Sequence, residues 1–276
     1  MTIKQGLKLR FYSLHKKSGD FKMPKLYEEK LNNQGCSMKI VECLEKSNII
    51  VEFQDKYRAK VHTNYGNFQR GLVKNPYCPS VYGVGVIGTK YPVSINSIRT
   101  KEYCVWHSLI KRCYDPKTRE RQPTYKIASI CDEWLLFENF CNWLHSQPNF
   151  DKWLNGKRWA LDKDILNKRN KIYSPDTCCL VPQNVNCLFL KREALRGEYP
   201  IGVSYRSDGF VASCHNPFTD SREELGSYST PEEAFYVYKF HKEDIIKQVA
   251  EIEYNNGNIT RKCYEAMMNY EVEIDD

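Results

Sequence analysis

The tightest constraint on this chain is a pair of apolar stripes at helical spacing. In "TKEYCVWHSLIKRCYD" Trp106, Leu109, Ile110 and Cys113 recur at three- and four-residue intervals, and "DEWLLFENFCNWLHSQ" repeats the pattern with Trp134, Phe137, Phe140, Cys141 and Leu144. A stripe that recurs near every 3.6 residues faces a core, so the spacing predicts two amphipathic helices. Their rings are expected to pack inward, because aromatics that stack on bases lie on an exposed sheet rather than along a helix face.

The sequence on either side obeys a different period. Short β-branched and aromatic runs in "MKIVECLEKSNIIVEFQDKYRAKVHTNYGNFQRG" predict a small β-rich module over residues 29–80, and "KNPYCPSVYGVGVIG" breaks the chain with Pro and Gly. "YPIGVSYRSDGFVASC" reads as strand, Ser-Asp-Gly turn and strand, and "ELGSYS" as a third strand. A helix follows in "TPEEAFYVYKFHKEDIIKQVAEIEY", with Thr230 as N-cap, Pro231 at the first helical position and Glu232 and Glu233 at the positive end of the dipole. The expectation is an α+β multidomain chain. Its parts are a basic arm at 1–28, the module at 29–80, a central region at 100–195, a three-stranded sheet with a helix at 199–254, and a tail at 255–276. The acidic run "YEVEIDD" can fold back on a basic surface or remain solvated, and the solvated state is the expectation.

Net charge narrows the partner. The chain carries +7, and its first 25 residues hold seven Lys/Arg against one Asp, which favours a polyanion, with nucleic acid first among them. A mean hydropathy of -0.62 and the lack of a long apolar run argue against a membrane span, and no apolar leader precedes the basic arm, so a cytoplasmic protein is expected. The twelve cysteines include no CxxC pair, and reduced thiols without a structural zinc are the expectation. Cys178 and Cys179 are adjacent, which on a strand sends them to opposite faces.

The order "RCYDP...YK...ICDEW...F..F" followed by "LDKDI...IYSPDTCCLV" resembles the phage-type HNH homing endonucleases over residues 103 to 195. Gly202-Val203, "FVASC", Leu225-Gly226 and "STPEEAFYVY" resemble the AP2 domain over residues 199 to 249. The two occur in tandem in phages and mobile elements, so the resemblance implies double-stranded DNA as partner and the cytoplasm of a bacterial host as setting.

The HNH resemblance implies a ββα-metal centre. It puts Asp162 and Asn186 at the positions that hold Mg²⁺, with Asn186 on a helix beginning near Pro182. Lys163 stands where active members carry a His as general base. At its ordinary pKa of about 10.4 a lysine is protonated and accepts no proton at neutral pH. Two readings stay open. In one, Lys163 holds the scissile phosphate while Asp164 or a metal-bound hydroxide acts as base and Asn170 orients it across the hairpin, giving Mg²⁺-dependent nicking. In the other, the hairpin is a docking element whose cations Lys157, Arg158, Lys163, Lys168, Arg169 and Lys171 bind phosphates. The AP2 resemblance adds Tyr205, Arg206 and Arg222 as candidate readers on a sheet lying across the major groove. A third class is a counter-defence factor that grips a host or phage protein.

Overall fold

The computed structural model describes residues 23–190, 198–206 and 209–276. The basic arm up to residue 22, the segment 191–197, and Ser207 and Asp208 of the expected turn lie outside them. The described chain is mixed α+β and separates into two units, at Cys78.

The first unit is an antiparallel meander of β1 (Glu29–Leu31), β2 (Ser37–Glu45), β3 (Asn48–Phe53) and β4 (Lys60–Thr63), followed by a short helix α1 (Tyr65–Gln69). Side chains on a strand alternate between faces, and here one face carries the core. Met38 and Ile40 from β2, Ile49, Val51 and Phe53 from β3, and Tyr65 and Phe68 from α1 are buried together. Asn64 caps α1 by accepting the amide of Asn67.

The second unit, Pro79–Asp276, begins with a two-stranded hairpin, β5 (Ser94–Ile95) and β6 (Ile98–Arg99), and then the expected helices. They are α2 (Lys101–Tyr114), α3 (Pro116–Arg121), α4 (Phe137–Ser146) and α5 (Phe150–Asn155), with the short strand β7 (Ser129–Ile130) between α3 and α4. Thr100 caps α2 through the amide of Tyr103, and Asp115 caps α3 through that of Thr118. Trp106, Trp134, Phe137, Phe140 and Leu144 have no exposed surface, and the Trp106 indole donates to the Trp134 carbonyl at 2.7 Å. Each such side chain stabilises the fold by roughly 1.5–3 kcal/mol relative to leaving it in water.

Next come β8 (Trp159–Asp162), β9 (Ile172–Tyr173), β10 (Cys179–Pro182) and the helix α6 (Gln183–Leu188). β8 and β10 pair antiparallel, with Asp162 opposite Cys179, while β9 pairs parallel with β7. β10 is buried on both faces, and strand alternation sorts its residues between two cores. Leu180, together with Cys178 just before the strand, joins the aromatic core of α2 and α4, and Cys179 and Val181 join a second core built on the last elements.

That second core lies under the antiparallel sheet of β11 (Val203–Arg206), β12 (Gly209–Asn216) and β13 (Ser221–Tyr228), with the long helix α7 (Pro231–Asn255) packed on it. Thr230 and Glu233 form a reciprocal capping box at its start. Because Val185 and Leu188 of α6 share this core with Ala212, Phe235 and Ile246, the central and third regions of the sequence are packed as one body. Residues 255–276, read from sequence as a tail, contain a further helix, α8 (Arg261–Met268), whose Cys263 and Met267 are fully buried against α7 and β10.

Gly202 shows how closely this sheet and helix approach. Its φ of +81° lies in the left-handed region, and a Cβ there would sit 2.1 Å from the Tyr238 ring. Gly202→Ala is therefore expected to destabilise the protein by about 2–4 kcal/mol, the sum of backbone strain and overpacking. Urea unfolding measures it, and a loss under 0.5 kcal/mol would show that the ring yields freely.

Candidate functional site

β8, β10 and α6 form a strand-strand-helix unit, and the loop between the strands carries most of the residues singled out in the sequence. β8 ends at Asp162, so Lys163 and Asp164 lie beyond the strand and the alternation rule does not decide their directions. Asp162 Oδ1 accepts the backbone amides of Asp164 at 2.7 Å and Ile165 at 2.8 Å, which turns the chain at the strand end. Burial pushes its carboxyl up, partly offset by those two amides.

Lys163 is turned inward, with a side chain only 13% exposed. Its ammonium donates to both oxygens of Asp164, at 2.6 and 2.7 Å, and to the Asn170 carbonyl at 2.9 Å. Asn170 returns the contact through its amide nitrogen, which donates to the Lys163 carbonyl at 3.0 Å and the Ile172 carbonyl at 2.6 Å. Lys163, Asp164 and Asn170 thus brace the loop from inside. In this geometry the Lys163 ammonium and both oxygens of Asp164 are engaged with each other, and Asn170 holds the loop closed.

Asp162, Lys163, Asp164 and Asn186 line one groove of about 970 Å³, with Lys168, Arg169 and Lys171. Mg²⁺ is held by one or two ionised carboxylates, with water and phosphate completing its octahedron. Here Asp162 has one oxygen committed to two amides, both oxygens of Asp164 answer Lys163, and what remains is the second oxygen of Asp162 and the Asn186 amide. Among the described residues no group of three or more His, Cys, Asp or Glu suits a metal.

The acidic run does not stay solvated. Lys168 contacts the carboxylates of Asp276 at 2.7 Å and Glu273 at 3.1 Å, and donates to the Glu271 carbonyl at 2.8 Å. Arg169 meets Glu273 at 2.8 Å and Asp275 at 2.7 Å. The segment is anchored on α7, where Lys239 donates to the Val272 carbonyl at 2.7 Å, the Val272 amide donates to Glu243 at 2.8 Å, and Val272 itself is buried. An apolar anchor between acids, placed beside two cations, outweighs the entropy that would keep such a run free.

The other candidate cations divide into two sets. Lys157, Arg158 and Lys171 are exposed and make no side-chain contact with an acid among the described residues. Arg206 is paired with Glu224 at 2.7 Å, and Arg222 donates from Nε to the Ser213 hydroxyl at 2.8 Å. Tyr205 faces solvent at 57% exposure, its ring against Phe210 at 5.1 Å. Cys178 is no nucleophile, since burial pushes its thiol up to about 12.

The sequence left one feature unseen and favoured the other state of a second. The docking of residues 271–276 had one signal, an acidic run complementary to "NKRNK". Lys242 had another, a cation four residues after Tyr238 and three before Ile245 on the buried face of α7. Comparisons with protein-family models, curated proteins and solved structures give no match.

Proposed function

We propose that the protein binds double-stranded DNA in the cytoplasm of a bacterial host, with the strand-strand-helix unit as a docking element descended from an HNH-type nuclease and the three-stranded sheet as an AP2-like second contact. The observation that carries this reading is the set of exposed cations Lys157, Arg158 and Lys171, which have no acidic partner among the described residues; Lys171 lines the groove of Asp162 and Asn186, and Lys157 and Arg158 line a neighbouring groove that shares Trp159 and Gln183 with it. Cations of this kind release condensed counterions when they neutralise phosphates, which supplies affinity without chemistry. No helix among the described residues is long and apolar enough to cross a membrane.

The test is anisotropy of a labelled duplex across a salt series. Affinity is expected to fall steeply, with a log-log slope of about -0.9 per phosphate neutralised. Lys171→Ala and Arg158→Ala are each expected to flatten that slope by about 1. Duplex binding too weak to detect at 20 mM salt would favour the counter-defence reading, a grip on a host or phage protein; that concentration is chosen as roughly the low-salt end at which screening is weakest.

The runner-up is Mg²⁺-dependent nicking, favoured by the placement of Asp162 and Asn186 along one groove. Supercoiled plasmid incubated with Mg²⁺ or Mn²⁺ distinguishes the two. Nicking by the wild type that Asp162→Asn abolishes would replace docking with catalysis.

A further inference from the structure

A second groove, of about 1320 Å³, runs between the strand-strand-helix unit and the three-stranded sheet, and its lining includes Lys157, Arg158 and Lys242. Lys242 comes from the face of α7 that packs on the sheet, and is half-buried. Among the described residues no carboxylate answers it. The charged and titratable neighbours acting on its ammonium are two thiols, Cys214 and Cys187, and burial lowers its affinity for the proton. The acids of the same groove are engaged elsewhere: Glu253 accepts the amides of Asn184 and Asn258, both at 2.7 Å, and Asp220 stands fully in solvent beside His215.

A half-buried ammonium without an anion is costly, and the fold retains it where it opens on a groove rather than on bulk water. The opposite wall has its own cost. Arg158 is held at a φ of +60°, in the left-handed region that favours glycine, with its carbonyl accepting the Gln183 amide at 2.7 Å. Such strain persists only where surrounding contacts over-determine it, and it gathers at ligand clamps. The preceding Gly156 allows this turn to press on the Trp159 indole, since a Cβ there would sit 2.4 Å from Nε1.

We propose that this groove is a phosphate-ester site in which Lys242 on one wall and Arg158 with Lys157 on the other grip the anion. The groove is larger than a single carboxylate needs, and a forked guanidinium with two ammoniums suits the several oxygens of a phosphate. The ester comes either from a nucleic-acid backbone or from a free nucleotide. Only the first source rests on the DNA-binding reading above.

The experiment titrates the full chain with four probes, namely inorganic pyrophosphate, a mononucleotide, a single-stranded oligonucleotide and a duplex, by calorimetry. It is repeated with Lys242→Gln, Lys242→Arg and Arg158→Gln. Loss of a charge-assisted hydrogen bond predicts that Lys242→Gln and Arg158→Gln weaken the bound probe roughly tenfold or more, with Lys242→Arg retaining most of the affinity. Binding of pyrophosphate and mononucleotide identifies a free nucleotide as source, and binding of the oligonucleotides alone identifies the backbone. A second readout uses only the wild type: the bound probe should protect Lys242 from an amine-acylating reagent, read by mass spectrometry. If no probe depends on Lys242 or protects it, the inference is overturned, even where duplex binding survives on Lys171. Small phosphates held by Lys242 in a protein that ignores duplex would support this site and remove the DNA reading.

Discussion

Glu273→Gln, Asp275→Asn and Asp276→Asn combined should tighten duplex binding by roughly tenfold or more at low salt. In the wild type the carboxylates of these three residues occupy Lys168 and Arg169, at 2.7 to 3.1 Å, so the two cations are spent within the chain. Amides keep the shape of the segment and its anchor at Val272 but carry no charge to hold the cations. Two freed cations add about two phosphate contacts and steepen the salt slope by about 1.8, so the advantage of the variant should shrink about twelvefold between 50 and 200 mM salt. The exposed pairs of Glu273 and Asp275 stabilise weakly, at about 0–1 kcal/mol each, whereas Asp276 is buried and also accepts the Glu273 amide, so its change carries most of the cost to the folded state. Equal affinities and equal slopes would mean that DNA does not approach Lys168 and Arg169. A steeper slope in the variant would make the acidic segment an internal competitor of the polyanion.

The sequence showed the complementary charges but not that they meet, for a physical reason. The stripe of Trp106, Leu109 and Ile110 and the box of Thr230 and Glu233 express themselves within one or two turns of chain, where periodicity and capping chemistry act. The pairing of Lys168 with Asp276 joins residues more than a hundred positions apart, and it depends on α8 turning the chain back across β10. Cys178 and Cys179 lie between these cases. Strand alternation sends them to opposite faces from sequence alone, but only the assembled fold shows that each face is a core. The candidate site divides in the same way. Asp162 at a strand end and Asn186 on the next helix were implied by the HNH resemblance, whereas the inward turn of Lys163 onto Asp164 and the Asn170 carbonyl depends on a loop closed by Asn170 itself.

The second large effect concerns what Asp162 is for. Asp162→Ala is expected to cost about 2–4 kcal/mol, because it leaves the amides of Asp164 and Ile165 without their acceptor in a half-buried turn. Asp162→Asn keeps a side-chain oxygen for both amides and should cost far less. The two differ further with pH. Burial raises the folded-state pKa of Asp162, so its favourable contribution is complete below the unfolded value of about 3.9 and is lost as pH rises through the higher folded value. An amide has no such loss. The stability of Asp162→Asn relative to wild type should therefore improve between pH 4 and pH 7, as read by urea unfolding; these limits bracket roughly the upper range of carboxylate titration. A carboxylate that served a metal would behave in the opposite way. With 10 mM Mg²⁺ at neutral pH, a concentration set to about saturate a weak site, ligation would stabilise the wild type and leave the asparagine variant behind. Stabilisation by Mg²⁺ that Asp162→Asn removes would overturn the docking reading. Indifference to Mg²⁺, with the alanine variant unstable and the asparagine variant sound, would establish Asp162 as the residue that turns the loop.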